Sequence, residues 1–459
     1  MMSLAYAAEL SGARHVGADA ALRGVSTDTR SIGEGTLFIA LRGERFDGHD
    51  FVLAARDKGA TAAMVDERAA PGLGNAGLPL AVVGDTRGGL QRLAAGWRRR
   101  FTMPLVAITG SNGKTTVKEM TAAILRARDG AAGVLATEGN LNNDIGLPLT
   151  LLRLRAEHRS AVVELGMNHR GETDLLAQIA RPTVAVINNA QREHQEFMQS
   201  VDEVALEHAD VLASLASDGI AVIHADDPHA PMWRERAGAR RVIGFGESSA
   251  AEVHADVAGT GQSAGGQAMV IDTPLGRVRL TLSVPGAHNA RNALAATAAA
   301  IAAGAGLEAV VSGLEGFRAV RGRMQVRAGR GGARLIDDTY NANPDSVRAA
   351  IDALSGHAGR RVLVLGDMGE VGEQGPAFHE EVGRHARERG IERLLCTGEL
   401  SRHAAGAFGA PEHFSDIGQV VDALAPEMRA GTAILVKGSR FMRMERVVAA
   451  LEAAGGEGA

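Results

Sequence analysis

The sequence has a single cysteine in 459 residues, Cys396, so it cannot form a disulfide within the chain. Such a chain does not depend on an oxidising compartment, and one cysteine cannot build a cysteine-based zinc cluster. Aromatic residues make up only 3% of the chain, so its cores must be built from Ala, Val, Leu and Ile. The 58 glycines and 13 prolines are too few for a collagen-like or low-complexity chain. These absences indicate an ordinary globular protein. Its length predicts about three domains, at roughly 150 residues each.

Positive charge and long hydrophobic runs are also lacking. The net charge is −5, which argues against a broad nucleic-acid-binding surface. The longest mildly apolar run, Leu294–Leu307, is mostly Ala and Gly and is shorter than the roughly 20 residues of a membrane span. Residues Met1–Leu10 show no basic segment followed by an apolar one. We therefore expect a soluble, cytoplasmic and monomeric protein without nucleic-acid or membrane partners.

Short apolar runs alternate with helical patterns along most of the chain. Strands are predicted at 37–41, 62–65, 105–109, 161–165, 183–188, 220–224, 335–337, 361–365, 393–396 and 433–436. Helices are predicted at 51–58, from the loop after 109 through 125, and at 289–304, 346–354, 378–389 and 442–451. Strands alternating with helices indicate an α/β fold with mostly parallel sheets. We predict three domains: an N-terminal α/β domain at 1–98, a central domain at 99–316 and a C-terminal Rossmann-like domain at 317–459.

The most informative local pattern is the loop Gly110–Thr116, which follows a buried strand and opens a helix. Glycines let backbone N–H groups face an anion, and a helix N-terminus adds a favourable dipole. In such a phosphate-binding loop Lys114 would reach the β- and γ-phosphates, and the hydroxyl of Thr115 would bind Mg²⁺. The usual first glycine is missing, because Ile108 occupies its position. The alternative is an ordinary glycine-rich turn between strand and helix.

Candidate metal ligands lie at the ends of the neighbouring strands. Glu164 lies at the end of the predicted strand 161–165, on the edge where parallel sheets gather their ligands. His194 follows the next strand. Either residue alone is more often structural, but the edge they share with the loop favours a functional role.

Three other polar clusters follow predicted strands or precede helices. Each also has a structural interpretation, as a helix cap or a turn. They are His288–Asn292, Asp337–Pro344 and Lys437–Arg440.

The stretch Thr109–Thr116 resembles the ATP loop of the Mur ligases, in which the glycine spacing is also shortened. Further stretches resemble motifs of that family in the same order, along nearly the whole length: Ser26–Arg30, Phe46–Phe51, Asn140–Pro148, Glu164–Met167, His288–Asn292 and Asp337–Pro344. Three C-terminal motifs resemble the branch that joins D-alanyl-D-alanine to UDP-N-acetylmuramoyl-tripeptide: Asp338–Pro344, Leu365–Glu370 and Lys437–Met442.

The resemblance implies that domain 1–98 binds the UDP-muramoyl peptide, domain 99–316 binds ATP, and domain 317–459 closes on both and helps to hold D-alanyl-D-alanine. The ATP-binding positions it implies are Gly110, Ser111, Asn112, Gly113, Lys114, Thr115, Thr116, Asn292, Arg323 and Asp338. The Mg²⁺ positions are Thr115, Glu164 and His194. The substrate positions are Ser26, Thr27, Asp28, Arg30, Asp47, Gly48, His49, Asn142, Asn143, Tyr340, Asn341, Lys437, Ser439 and Arg440. The catalytic positions are Lys114, Glu164, His194 and His208.

One position departs from the family pattern. The family commonly carries a carbamylated lysine about fourteen residues after the metal-binding histidine, and ungapped counting places His208 there. No lysine lies between Lys118 and Lys437. Either His208 takes over a metal or phosphate role, or this ligand is missing. An imidazole cannot bridge two metals as a carbamate does, so we expect activity to be independent of bicarbonate.

The implied reaction is ATP-dependent amide formation through an acyl phosphate, with ADP and phosphate as products. Alternatives are a sister ligase that adds a single amino acid, a ligase similar to folylpolyglutamate synthetase, a non-catalytic P-loop switch protein, and a muramoyl-peptide binder without ATPase activity. Whether the third residue of the peptide is meso-diaminopimelate or lysine is left open by the sequence.

Overall fold

The computed structural model describes residues 1–257, 262–263 and 266–453. Most of the glycine-rich segment Gly259–Gly266 and the tail 454–459 lie outside the described residues. Three large sheets follow one another along the chain, and helices pack against each of them. Within the described residues, no helix is long and apolar enough to cross a membrane.

The first unit contains a five-stranded sheet in the order β2-β7-β6-β5-β4. Its strands run parallel except β2, which is antiparallel to β7, and β1 pairs separately with β3. The elements are β1 (Met2–Ser3), α1 (Leu4–Ser11), β2 (Arg14–Val16), β3 (Ala21–Leu22), β4 (Gly24–Ser26), β5 (Thr36–Ile39), α2 (Val52–Asp57), β6 (Ala60–Asp66), β7 (Leu80–Val83) and α3 (Thr86–Arg98).

The central unit contains the largest sheet, in the order β15-β16-β14-β13-β12-β11-β8-β10-β9, with β17 paired to β16. Strands β8 to β14 are parallel, and β15 to β17 add antiparallel pairs. The elements are β8 (Leu105–Thr109), α4 (Lys114–Asp129), β9 (Val134–Ala136), α5 (Gly146–Leu151), β10 (Ser160–Glu164), α6 (Glu172–Ala180), β11 (Val184–Ile187), α7 (Val201–Ala209), β12 (Ile220–His224), α8 (Ala230–Ala237), β13 (Arg241–Gly246), β14 (Val253–His254), β15 (Gln262–Ser263), β16 (Gly266–Thr273), β17 (Gly276–Leu282), α9 (Ala287–Ala302) and α10 (Leu307–Gly316).

The third unit contains a sheet in the order β18-β19-β23-β20-β21-β22, parallel except for β18. The elements are β18 (Gln325–Ala328), β19 (Arg334–Asp338), α11 (Pro344–Ser355), β20 (Arg360–Gly366), α12 (Gly375–Glu388), β21 (Arg393–Thr397), α13 (Ser401–Phe408), β22 (Glu412–Phe414), α14 (Ile417–Leu424), β23 (Thr432–Lys437) and α15 (Glu445–Leu451).

Small residues fix the helix that carries the glycine-rich loop. Helix α4 packs between the central sheet and helices α9 and α10. Helix α9 is rich in alanine, and a Cβ atom at Gly313 of α10 would lie only 2.4 Å from the Cα atom of Ile124. Because small side chains let helix backbones approach closely, α4 packs tightly behind the loop at its N-terminus.

The predicted α/β class and the mostly parallel central sheet are confirmed. The predicted strands 105–109 and 220–224 match β8 and β12, whereas the helix predicted over 442–451 begins only at Glu445. A 3₁₀ turn over Arg440–Met442 precedes it, and Arg443 has a φ of 50°, which interrupts a regular helix.

Candidate active site

The glycine-rich loop connects the end of β8 to the start of α4. Gly110 and Gly113 have φ values of 131° and 82°, in the region that favours glycine. A Cβ atom at Gly113 would also lie 2.3 Å from Oδ1 of Asn292. No side chain caps the N-terminus of α4, so its first N–H groups are free to face an anion. This geometry supports a phosphate site.

Lys114 folds back over the loop. Its Nζ atom donates to the carbonyl oxygens of Gly110 at 2.5 Å and Ser111 at 3.2 Å, and to Oε2 of Glu193 at 3.2 Å. Its side chain is only 15% exposed. The ammonium group thus lies at the loop with all three of its hydrogens engaged.

An acidic side chain meets the loop from the neighbouring strand β10. The hydroxyl of Thr115 donates to Oε2 of Glu164 at 2.8 Å, and Nδ2 of Asn142 donates to Oε1 at 2.8 Å. A hydroxyl and a carboxylate are oxygen ligands that suit Mg²⁺. Within the described residues, no three His, Cys, Asp or Glu side chains are arranged to hold a metal. Thr115 and Glu164 thus offer two oxygen donors whose chemistry fits a Mg²⁺ ion at the loop.

His194 lies in the same cavity but faces the third unit. Its φ is 50°, a left-handed conformation that is uncommon outside glycine. Its Nδ1 atom lies 2.7 Å from Oε2 of Glu370, and this contact lowers the pKa of the Glu370 carboxyl. The role of His194 as a metal ligand stays a prediction, because its imidazole pairs with Glu370 and Glu193.

His208 is fully buried and does not line the cavity. Its Nδ1 atom lies 2.9 Å from Oγ1 of Thr109, and its Nε2 atom lies 3.0 Å from Oε1 of Glu193. Burial lowers the pKa of His208, although the Glu193 carboxylate opposes this shift. His208 thus lies behind the loop between Thr109 and Glu193, and its catalytic role stays a prediction.

Sequence reasoning missed Glu193 as a site residue. Burial raises its pKa, but the charge of Lys114 and the hydrogen bond from His208 outweigh burial and lower the pKa to about 2. Glu193 is therefore a buried carboxylate at the nucleotide loop. An acidic residue next to His194 gives no sequence signal of its own, since acids are common in surface loops.

The third unit places its predicted residues opposite the loop. Nζ of Lys437 donates to Oδ2 of Asp338 at 2.6 Å and to the carbonyl of Asn341 at 2.9 Å. The guanidinium of Arg323 stacks over the ring of Tyr340, 4.2 Å from its centroid. These side chains thus form one polar wall.

Amide and ion pairs also join the loops of the central and third units. The side-chain amides of Asn112 and Asn343 exchange hydrogen bonds of 3.0 and 3.3 Å. Arg192 donates to Asp345 at 2.6 Å and to Glu381 at 2.7 Å, and the hydrogen bonds to Glu381 and Asp345 raise its pKa. The two units therefore meet around the nucleotide loop.

A cavity of about 970 Å³ joins these walls. The predicted residues that line it are Ser111, Asn112, Gly113, Lys114, Thr116, Asn142, Asn143, Glu164, His194, Asn292, Arg323, Asp338, Tyr340, Asn341, Lys437, Ser439 and Arg440. The predicted residues outside its lining are Gly110, Thr115, His208, Ser26, Thr27, Asp28, Arg30, Asp47, Gly48 and His49. The first unit contributes Arg87, which carried no motif in the sequence.

The predicted substrate residues of the first unit mainly stabilise local turns. Oδ1 of Asp28 accepts from the backbone N–H of Arg30 at 2.8 Å, and Arg30 is 86% exposed. Nδ1 of His49 lies 2.6 Å from Asp47, and its Nε2 accepts from the N–H of Asp66 at 3.0 Å. Their substrate contacts stay a prediction.

A phosphate-binding loop at the carboxyl edge of a parallel sheet, beside a buried acid and facing a second α/β unit, defines a P-loop nucleotide-dependent enzyme. Family models match each of the three units. These are the Mur ligase family catalytic domain over residues 21–98, the Mur ligase middle domain over 108–300, and the Mur ligase glutamate ligase domain over 322–440. The chain belongs to the Mur ligase family, a family of ATP-dependent ligases.

Individual relatives are similar over nearly their whole length. The chain is 42% identical to the UDP-N-acetylmuramoyl-tripeptide–D-alanyl-D-alanine ligase of Escherichia coli strain K12, covering 95% of both chains. It is 39% identical to the Haemophilus influenzae ligase of the same name, covering 93% of both. The crystal structure of MurF from Acinetobacter baumannii superposes with a TM-score of 0.88 at 33% identity, covering 96% of this chain and 97% of that one. MurF from Thermotoga maritima in complex with ADP gives a TM-score of 0.79 at 26% identity, covering 93% and 96%.

Proposed function

We propose that this chain is an ATP-dependent ligase that joins D-alanyl-D-alanine to the terminal carboxylate of UDP-N-acetylmuramoyl-tripeptide, in the synthesis of the peptidoglycan precursor. The observation that carries the proposal is the cavity in which the nucleotide loop faces the Asp338–Lys437 wall. The relatives that share these units along their length bear the name of this ligase. We also propose the three domains at 1–98, 99–316 and 317–459 that the sequence predicts.

The chemistry requires activation of a poor acylating agent. A carboxylate attacks the γ-phosphorus of ATP, and the bond to the β–γ bridging oxygen breaks, which gives an acyl phosphate and ADP. The free amine of D-alanyl-D-alanine then attacks the acyl carbon, phosphate leaves with the acyl–oxygen bond electrons, and the amine loses a proton. The protein contributes mainly position and electrostatics to these steps.

The residues of the loop supply the charge that the first step needs. Two anions meet when the carboxylate approaches the phosphate, so the ammonium of Lys114 and the N–H groups at the start of α4 must offset their repulsion. Thr115 and Glu164 would hold Mg²⁺, which would neutralise phosphate charge in the same place. Asn292, beside Gly113, borders the loop on its other side.

The third unit is proposed to hold the nucleotide sugar and the incoming dipeptide. Asp338 faces the cavity with a carboxylate fixed by Lys437, and it suits a ribose hydroxyl. Ser439 donates to the carbonyl of Ala342 at 3.1 Å and accepts from the N–H of Gly369 at 2.7 Å, which shapes the wall beside Arg440. The guanidinium of Arg440 suits the carboxylate of a dipeptide. Closure of this unit would exclude water, which otherwise hydrolyses an acyl phosphate.

The decisive experiment is ADP release by the purified chain with ATP, Mg²⁺ and UDP-muramoyl tripeptide, with and without D-alanyl-D-alanine. We expect release that depends on the dipeptide, and a pentapeptide product by mass spectrometry. Tripeptides that end in meso-diaminopimelate and in lysine should be tested side by side. Product formation with a single amino acid instead of the dipeptide would favour a sister ligase, and nucleotide binding without amine-dependent turnover would favour a switch or binding protein.

A further inference from the structure

A buried chain of polar contacts lies behind the nucleotide loop. Oγ1 of Thr109 lies 2.9 Å from Nδ1 of His208, Nε2 of His208 lies 3.0 Å from Oε1 of Glu193, and Oε2 of Glu193 lies 3.2 Å from Nζ of Lys114. The four residues come from the end of β8, from α7, from the loop after β11 and from the start of α4. These contacts therefore connect β8, α7 and the loop after β11 to Lys114.

The hydrogen-bond roles in this chain follow from donor and acceptor chemistry. A carboxylate only accepts, so Nε2 of His208 must donate to Glu193. A neutral imidazole then has Nδ1 left as an acceptor, and the hydroxyl of Thr109 donates to it. Every polar group is satisfied when His208 is neutral, which is also the form favoured by its complete burial.

The residues in this chain of contacts differ in how deeply they are buried. The side chain of His208 is 0% exposed and that of Glu193 is 7% exposed, whereas Lys114 reaches the cavity on a flexible four-carbon stem. An incoming phosphate must displace at least one of the three acceptors of Lys114. The neutral carbonyls of the loop are weaker acceptors than the carboxylate, so we expect these contacts to exchange first.

We propose that Glu193 is a positioning residue for Lys114, and that His208 and Thr109 fix its carboxylate. In this arrangement the ammonium of Lys114 keeps its hydrogen bond to Glu193 and stays beside the loop. Phosphate oxygens replace the carbonyl oxygens of Gly110 and Ser111 as its other acceptors. The role rests on the function proposed above, since it concerns how that enzyme presents its lysine to ATP.

The small number of lysines permits a direct test by nuclear magnetic resonance. The sequence has four lysines, Lys58, Lys114, Lys118 and Lys437, so a sample labelled with ¹³C at lysine Cε has four signals. The signal lost in Lys114→Arg identifies Lys114. We expect Glu193→Gln to shift this signal.

A matched control comes from Lys118, which is also paired with a glutamate. Nζ of Lys118 pairs with Glu119 and donates to the carbonyl of Thr137 at 2.7 Å. Glu119→Gln should shift the Lys118 signal and leave the Lys114 signal in place. A Lys114 signal that does not move in Glu193→Gln would overturn the proposal.

Kinetics supply the second readout. A misplaced lysine should lower kcat by about 10- to 100-fold in Glu193→Gln, with KM for ATP within about threefold of the wild type. His208→Ala should lower kcat similarly, and His208→Gln should lower it less, because an amide N–H can still donate to the carboxylate. Thermal unfolding of each variant checks that the fold is retained.

The outcomes separate this role from the ligase function itself. A wild-type kcat in Glu193→Gln, or a changed Mg²⁺ requirement with an unmoved Lys114 signal, would overturn the positioning role. Absence of dipeptide-dependent ADP release in the wild-type protein would instead refute the proposed function. The Lys114 signal in Glu193→Gln would still test the contact in that case.

Discussion

At the scale of single residues, Lys114 is the side chain on which the nucleotide site depends most. We expect Lys114→Ala to lower the rate of ADP release by about 100-fold or more, because the residue acts as a positive charge on phosphate. The fold should be retained, as checked by far-UV circular dichroism, although loss of the cation beside the buried Glu193 should lower the melting temperature. Lys58→Ala is the control, since Lys58 is exposed in the first unit. Near-normal turnover in purified Lys114→Ala would refute the phosphate-loop assignment.

The metal prediction concerns Glu164 and His194. Glu164→Ala and His194→Ala should each raise the Mg²⁺ concentration needed for half-maximal activity, by about tenfold or more, and slow acyl phosphate formation. The effect should be larger for Glu164, which contacts the Thr115 hydroxyl. Glu138→Ala is the control, since Glu138 pairs with Arg153 at the surface. An unchanged Mg²⁺ titration in both test variants would make these residues structural.

Independence of bicarbonate is the prediction for His208. A carbamylated lysine supplies a buried negative charge, and here the Glu193 carboxylate already lies beside His208 and Lys114. Removal of bicarbonate and CO₂ should therefore leave the turnover number unchanged. In His208→Lys the new ammonium would pair with Glu193, so carbamylation at this site would place like charges together. A wild-type rate that recovers only when bicarbonate is restored would contradict this interpretation.

The sequence pattern predicted the residues of the nucleotide loop but not the residue that contacts Lys114 from another segment. The glycines, Lys114 and Thr115 lie in one short segment directly after a strand, so their chemistry can be predicted locally. Glu193 acquires its role from contacts to His208 and Lys114, which come from other segments. No local pattern records those contacts.

At the scale of elements, buried parallel strands were the most predictable. A continuous apolar run such as β8 is typical of a strand covered on both faces. The antiparallel hairpin β16–β17 was missed, although β17 buries every second residue. Helix α3, with its Asp85 cap accepting from Arg87 and Gly88, was also missed, because its apolar stripe is interrupted by glycines and arginines.

Close packing of α10 on α4 gives a prediction about stability. Gly313→Ala places a methyl group against the backbone of Ile124 and should lower the free energy of unfolding by about 1–3 kcal/mol. Urea unfolding followed by circular dichroism measures this change. Gly316→Ala is the control, because a Cβ atom there meets nothing within 4 Å, and it should be neutral or stabilising by up to about 1 kcal/mol. Equal stability of the two variants would show that the helices adjust freely.

At the scale of the whole molecule, the order of the three units followed from the sequence, but their contacts did not. The central and third units meet through the Asn112–Asn343 amide pair and the Arg192 ion pairs. The substrate residues predicted near Asp28 and His49 lie outside the lining of the cavity, so the two regions are bridged only if a long substrate reaches both. A UDP-muramoyl peptide has that extended shape.

The ion pairs of Arg192 give the last prediction, which concerns how the third unit is held. Arg192 of the central unit reaches both Asp345 on α11 and Glu381 on α12, and its side chain is 23% exposed. In Arg192→Ala both carboxylates lose the guanidinium, and only the backbone N–H of residue 192, which donates to Asp345 at 2.9 Å, still joins them to the central unit. The third unit should therefore populate more open positions. We expect kcat to fall about tenfold, corresponding to roughly 1.4 kcal/mol, together with a larger radius of gyration by small-angle X-ray scattering.

Arg348→Ala is the matched control for this clamp. Arg348 donates to the same Glu381 at 2.8 Å, but both residues belong to the third unit. Its loss removes a charge next to Glu381 without removing a contact between units, so the radius of gyration should match that of the wild type. If Arg348→Ala expands the molecule as much as Arg192→Ala does, the effect comes from the charge of Glu381 and not from the connection between the units. If neither variant expands it, the remaining contacts around Asn112 and His194 hold the third unit in place by themselves.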